Sequence, residues 1–69
     1  MTPITTILID RNKSEQTYAV YQMDERGICH DQEIFSWDAK AERSTAFAKA
    51  QKQARDWAAD FKAKIETNF

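Results

Sequence analysis

Alternating apolar and polar residues, many of them β-branched, predict strands in the first half of the chain. Residues 4–10 are rich in isoleucine and threonine, residues 17–23 alternate in the same way, and residues 28–37 form a third run. Between the last two runs, residues 24–27 (Asp-Glu-Arg-Gly) have the pattern of a tight turn with Gly27 in the left-handed conformation. We therefore expect three antiparallel strands.

The first and third runs do not have one clean apolar face. Residues 4–10 carry apolar side chains at both parities, so both faces of that strand are partly apolar. The third run is the least regular, and a bulge near Asp31 or Gln32 would let Phe35 point inward together with Ile28 or Cys29.

The second half has the composition of a single helix. From Asp38 onward alanine, lysine, glutamate, glutamine and arginine dominate, and neither glycine nor proline occurs. The pattern predicts a helix over residues 39–67, with Asp38 or Ser36 as its amino-terminal cap. Apolar residues recur at spacings of three and four, which predicts the core-facing stripe. Its members are Phe47, Ala50, Ala54, Trp57, Ala58, Phe61 and Ile65.

The predicted helix is longer than the predicted strands. At ~1.5 Å per residue it would measure roughly 43 Å, against ~23 Å for a strand of seven residues. Its last turns would then overhang the sheet or pack against another chain. We therefore predict a dimer or partner contact through Trp57, Phe61, Ile65 and Phe69.

These elements predict one α+β domain over residues 1–69. Its architecture is a three-stranded antiparallel sheet followed by one long C-terminal amphipathic helix, packed on one sheet face. Cys29 is the only cysteine, so no intrachain disulfide is possible. The apolar run near the start is too short for a signal-peptide core or a membrane span. We expect a soluble protein of the bacterial cytoplasm.

The two halves carry opposite charge. Residues 1–38 contain 3 basic and 7 acidic side chains, a net charge of −4, whereas residues 39–69 contain 7 and 4, a net charge of +3. Such asymmetry affects which partners a surface attracts. We predict an acidic sheet surface that binds a basic partner protein. Its residues are Asp24, Glu25, Asp31 and Glu33, with Tyr18 and Tyr21 as aromatic contacts.

Chemistry-bearing residues are sparse. Cys29 and His30 are neighbours, but adjacent side chains of a strand point to opposite faces, which is unsuitable for a nucleophile and its base. His30, Asp31 and Glu33 do not place three metal ligands on one face, and structural zinc sites need four Cys or His ligands. We expect a non-catalytic protein without a metal or other cofactor.

The junction Glu-Ile-Phe-Ser-Trp-Asp-Ala-Lys-Ala-Glu at residues 33–42, within the order of three strands and a long helix, resembles small bacterial and phage domains. Phage-encoded anti-CRISPR proteins have a similar layout, as have double-stranded-RNA-binding folds without their first helix. The resemblance to anti-CRISPR proteins implies an inhibitor that occludes a surface of a host defence complex. It covers most of the chain but contains no specific motif, so it assigns no residue a role.

The alternative function is a small nucleic-acid-binding module. Lys49, Lys52 and Arg55 would contact phosphates from the helix, and Tyr18 or Tyr21 would stack on bases. The sequence pI of 5.7 and the absence of a lysine cluster at the helix start make nucleic acid the less favoured partner.

Overall fold

The computed structural model describes residues 3–69, which form four strands and one long helix. In chain order these are β1 (Ile4–Asn12), β2 (Thr17–Asp24), β3 (Cys29–Ser36), a 3-10 turn (Lys40–Glu42), α1 (Arg43–Phe61) and β4 (Lys64–Thr67). The sheet order is β3-β2-β1-β4, so β3 and β4 are its edges. The predicted α+β class is confirmed, but the prediction of three strands is wrong because a fourth follows the helix.

β1, β2 and β3 are antiparallel neighbours, as predicted, and β4 lies parallel to β1 on its other side. β3 and β4 therefore run in the same direction at opposite edges of the sheet. α1 connects them by crossing one face of β2 and β1, which is the usual way to join parallel strands.

The β2–β3 hairpin forms as the sequence predicts. The backbone N–H of Gly27 donates to the Asp24 carbonyl at 3.0 Å, and Gly27 has a φ of +81°, in the left-handed region that glycine adopts without strain. Met23 pairs with Cys29 and Gln22 pairs with Asp31, so His30 is the extra residue of a bulge.

The bulge confirms the predicted irregularity near Asp31, with a different result for the side chains beside it. Phe35 packs against the core, as expected. Ile28 and Cys29 both stay exposed, so the prediction that one of them points inward is wrong. Both residues precede the bulge and lie where the hairpin turn extends beyond the end of the sheet, so their side chains do not reach the core.

α1 is shorter than predicted at both ends. Its first residue follows the 3-10 turn, and neither Asp38 nor Ser36 caps it, because Ala39 and Glu42 occupy the capping positions without a side-chain bond. It ends at Phe61, where Lys62 takes a left-handed φ of +53°. Its 19 residues span ~28 Å, close to the length of the strands, so the predicted overhang does not exist.

Residues beyond Lys62 pair with β1 instead of continuing the helix. Ile65 and Thr67 are β-branched and alternate with charged residues, which suits a short strand. Within residues 3–69, no helix combines the length and apolar character needed to cross a membrane.

The core lies between the sheet and a row of three alanines on α1. Ala46, Ala50 and Ala54 are spaced four apart and are all buried. They lie over β1 and β2, which contribute the buried apolar side chains Ile7, Ile9, Tyr18 and Val20. Because alanine has no side chain beyond Cβ, the helix backbone lies close to the strands.

The bulkier residues of the predicted stripe flank this alanine row. Phe47, Trp57 and Ala58 are half-buried at the margin of the core. Phe61 is exposed and Ile65 belongs to β4, so neither is part of a helical core face.

Enlarging the central alanine tests this contact. Ala50 is 0% exposed, so we expect Ala50→Leu to lower the free energy of unfolding by about 1–3 kcal/mol through overpacking. Ala48→Leu on the exposed side of the same helix is the matched control, with an expected change of about 0.5 kcal/mol or less. Urea unfolding followed by circular dichroism measures both, and equal losses would contradict a tight helix–sheet contact.

The helix end at Lys62 gives a second stability prediction. A left-handed backbone strains any side chain with a Cβ, so Lys62→Gly is expected to raise the free energy of unfolding by about 1 kcal/mol or less. Lys49→Gly, within the helix, should lower it by about 1 kcal/mol. Thermal unfolding compares the two, and a loss of stability in both variants would argue against the left-handed helix end.

Candidate protein-binding surface

One face of the sheet lies under α1 and the other, here called the open face, has no covering layer among the described residues. Side chains alternate between the faces along each strand, and paired residues of neighbouring strands share a face. Since Ile7 and Ile9 face the helix, the residues between and beside them face away. The open face comprises Thr6, Leu8 and Asp10, Ala19, Tyr21 and Met23, Cys29, Gln32 and Ile34, and Lys64 and Glu66.

The centre of the open face is apolar. Leu8 pairs with Tyr21, and Met23 lies two residues further along the same strand. All three are half-buried by their neighbours alone. Ile34 extends the patch onto β3 and is 55% exposed. A sheet face that only contacts solvent normally carries polar side chains at such positions.

Polar and charged residues surround this centre. Asp10 and Gln32 lie at its borders, and Lys64 and Glu66 form an ion pair of 3.0 Å on β4. A depression of about 400 Å³ lies beside Leu8 and Met23, next to the hairpin turn. An apolar centre within a polar border is the usual composition of a protein–protein interface.

Tyr21 provides a hydrogen-bonding group at the centre of the open face. Partial burial, with smaller effects from the Asp10 carboxylate and from Cys29, raises the pKa of Tyr21 above its ordinary value of 10.0. The phenol therefore keeps its proton at neutral pH and is available to donate a hydrogen bond.

Two residues of the predicted acidic surface are buried. Tyr18 is 3% exposed and contacts Trp37 and Phe47, with ring centroids 5.0 Å apart in each pair. It belongs to the helix-covered parity of β2. Asp24 is 5% exposed. The prediction that they are surface contacts is wrong. Strand parity places Tyr18 in the core, and Asp24 is buried where it makes its hydrogen bonds within the hairpin.

The remaining members of the predicted surface are divided between different parts of the molecule. Glu25 is exposed in the hairpin turn. Asp31 and Glu33 pair with residues of the helix-covered face, yet both are exposed because they lie on the edge strand. Tyr21 lies on the opposite face. Asp31 and Glu33 therefore lie on the helix side of the edge strand, and the predicted acidic residues do not form one surface with Tyr21.

Asp24 organises the hairpin. Its Oδ1 accepts the backbone N–H groups of Arg26 and Ile28 at 2.8 and 3.0 Å, and His30 Nε2 donates to its Oδ2 at 2.7 Å. The bond from His30, supported by the two backbone bonds and the His30 charge, holds the pKa of Asp24 below its ordinary value of 3.8 against the opposing effect of burial.

Cys29 and His30 have separate partners. The Cys29 thiol donates to the Asp31 carbonyl at 3.2 Å, whereas His30 binds Asp24. Within residues 3–69, no three side chains of the metal-binding types lie close enough together to hold an ion.

The predicted dimer residues do not share one surface. Trp57 packs at the margin of the core, and Phe61 is exposed at the end of α1. Ile65 lies on β4, and Phe69 contacts Phe47 at the opposite end of the helix, with ring centroids 5.7 Å apart. The overhang that motivated this prediction is absent, and self-association itself stays a prediction.

The alternative nucleic-acid residues are separated as well. Lys49, Lys52 and Arg55 are exposed on α1, and Lys52 forms an ion pair of 3.1 Å with Asp56. Tyr21 lies on the far side of the sheet, and Tyr18 is buried. No tyrosine of the described chain is therefore placed to stack on a base held by these three cations.

Sequence reasoning missed the open-face residues Leu8, Met23 and Ile34. A usable signal exists, since the first strand is apolar at both parities. That pattern indicates a strand with two apolar faces, and a single helix covers only one of them.

Comparison with known proteins returns nothing: no family model, no curated protein and no solved structure matches this chain. The functional argument therefore depends on the residues described above.

The Asp24 hydrogen bonds predict a specific acid sensitivity. Because the pKa of Asp24 is lowered by folding, its stabilising contribution is complete above 3.8 and is lost as the pH falls through the lower folded value. We expect Asp24→Asn to flatten the loss of unfolding free energy between about pH 5 and about pH 2. Glu25→Gln, in the same turn, should keep the wild-type profile. Urea unfolding at several pH values in this range measures the free energy of unfolding. Identical pH profiles for the wild type, Asp24→Asn and Glu25→Gln would contradict the role of Asp24.

Proposed function

We propose that this protein is a non-catalytic binding module that docks another protein on the open face of its sheet. The observation that carries the proposal is the apolar centre formed by Leu8, Tyr21 and Met23 on a face that α1 does not cover. Apolar area of this kind is stabilised when a partner removes it from water. Tyrosine in such a position is a frequent main contributor to binding energy.

The size of the face limits the kind of complex. Three strands of eight or nine residues and one of four, ~4.8 Å apart with ~3.3 Å per residue, give a face of roughly 450 Å². A stable interface buries about 800 Å² on each partner. The open face can therefore supply the centre of an interface, and the contact must extend beyond it.

Two acidic residues at the border of the open face, Asp10 and Glu25, provide part of that extension in this proposal. Glu25 lies in the adjoining hairpin turn, and Asp10 lies on β1, paired with Ala19 of the open face. Exposed charges at the rim contribute little affinity, but they attract a basic partner and orient its approach. Of the predicted acidic surface, only Glu25 belongs to this rim, because Asp24 is buried and Asp31 and Glu33 lie on the helix side of β3.

The more specific form of the proposal concerns the partner. The resemblance to phage inhibitors covers the order of three strands and a helix and does not include β4. It suggests a host defence complex as the partner, which a bound protein of this size would block by covering a surface. Identification of the bound protein tests this form separately from the binding surface itself.

Affinity capture with matched variants tests the open face. We expect immobilised wild-type protein to retain a defined protein from a bacterial lysate, and Tyr21→Ser to reduce its recovery by about tenfold, the effect of losing ~1.4 kcal/mol. Phe61→Ser removes another exposed aromatic ring, 42% exposed at the end of α1, and should leave recovery unchanged. Quantitative mass spectrometry measures recovery.

Leu8→Ser provides a second variant of the same surface, and circular dichroism verifies that each variant is folded. Equal recovery by wild type, Tyr21→Ser and Leu8→Ser would show that binding uses another surface. Recovery of CRISPR-complex subunits would support the specific form of the proposal, and recovery of an unrelated protein would contradict only that form.

A further inference from the structure

A cleft lined by three cations lies on the other side of the molecule, where β1 ends and α1 begins. We call it the cationic cleft, and its volume is about 480 Å³. Its charged side chains are those of Arg11, Lys40 and Arg43, and no Asp or Glu side chain lines it. The remaining lining residues are Tyr18, Ala41, Ser44, Phe47 and Phe69.

The three cations have no acidic partner. None of the ion pairs within residues 3–69 includes Arg11, Lys40 or Arg43. Lys40 and Arg43 are three residues apart in the basic half, whereas Arg11 comes from the acidic half, so the fold brings Arg11 to the other two. In a chain of net charge −1, this makes the cleft a local site of positive potential.

Aromatic rings hold the two arginines in place. The Arg11 guanidinium lies 4.7 Å from the centre of the Phe69 ring, and the Arg43 guanidinium lies 6.0 Å from that of Trp37. Arg43 Nε also donates to the Tyr18 hydroxyl at 3.3 Å. Each arginine keeps further N–H donors, and a positioned guanidinium loses less entropy when it binds an anion.

We propose that the cationic cleft binds a small organic phosphate with a planar ring, of the nucleoside monophosphate class. A phosphate monoester carries about two negative charges at neutral pH, which suits a site of three cations better than a single carboxylate does. The planar arginine side chain matches phosphate oxygens in a two-bond geometry. Phe47 and Phe69 supply apolar ring surface for the remainder of the ligand.

The dimensions of the cleft favour a single nucleotide over a nucleic-acid strand. Its volume lies within the ~300–1,000 Å³ of small-molecule sites. A strand needs a basic track along the surface, whereas Lys49, Lys52 and Arg55 lie outside the cleft and Lys52 is paired with Asp56. This inference is independent of the open face, because the cleft lies on the helix side of the sheet.

Trp37 provides an optical reporter for the test. It is buried beside Arg43, and Trp57 is the only other tryptophan, so Trp57→Phe leaves one indole next to the cleft. In this background, adenosine monophosphate is expected to change Trp37 fluorescence with saturation. Adenosine alone and inorganic phosphate alone should each bind at least about tenfold more weakly, because each makes only part of the contacts.

Charge-removing variants complete the test. Arg11→Gln and Lys40→Gln should each weaken binding of adenosine monophosphate by about tenfold. Lys40 is exposed, so its loss does not endanger the core. Arg55→Gln removes an exposed helix cation outside the cleft and should leave binding unchanged.

Several results would overturn the proposal. These are no saturable response to adenosine monophosphate, equal binding of inorganic phosphate, and equal weakening by Arg55→Gln. Tighter binding of a single-stranded oligonucleotide than of the mononucleotide would likewise overturn it in favour of a strand-binding surface. Amide chemical-shift changes confined to residues 11, 40–44 and 69 would support it, whereas changes on the open face would place the ligand elsewhere.

Discussion

The close contact between the alanine row of α1 and the β1–β2 strands determines where the other parts of the molecule lie. Ala46, Ala50 and Ala54 let the helix backbone approach the sheet, so the side chains beside them must spread to the margins. Phe47, near the start of the helix, and Trp57, near its end, therefore pack at the margin of the core. Phe47 provides ring surface for the cationic cleft, and Tyr18 belongs to both the core and the cleft lining, so the cleft depends on this contact.

The same contact explains why only one sheet face is covered. One helix of 19 residues crosses β2 and β1 on its way from edge strand β3 to edge strand β4. The whole length of the helix is needed for this crossing, and no further element of the described chain reaches the other face. The topology itself thus leaves the apolar residues of the open face uncovered by the described chain.

Much of the fold was predictable from local pattern, and the failures have identifiable physical causes. The strands, the hairpin turn at Gly27 and the presence of a helix all follow from short-range preferences. β4 was missed because the helix ends at Lys62 without a glycine or proline to mark the end. The strain of the left-handed Lys62 backbone is offset only by the pairing of β4 with β1. Tertiary pairing outweighed the helix propensity of residues 62–67.

The candidate sites were less predictable because they depend on which residues meet. Parity separates Tyr18 from Tyr21, but only the position of the helix decides which of them is buried. Lys40 and Arg43 are neighbours at the helix start, but Arg11 joins them only because α1 begins where β1 ends. The lysines of the helix stand out in the sequence, yet they lie outside both sites.

The outer edge of β3 has a consequence for how copies of this chain behave together. An edge strand of eight residues has unpaired backbone N–H and C=O groups, which can hydrogen-bond to the same strand of another molecule and lead to aggregation. Antiparallel pairing of two such edges about Gln32 would set Asp31 of each chain against Glu33 of the other, and like charges in direct opposition disfavour the pair. Repulsion between these carboxylates therefore opposes edge-to-edge association of two copies. Because salt screens exposed charges, this repulsion weakens as ionic strength rises.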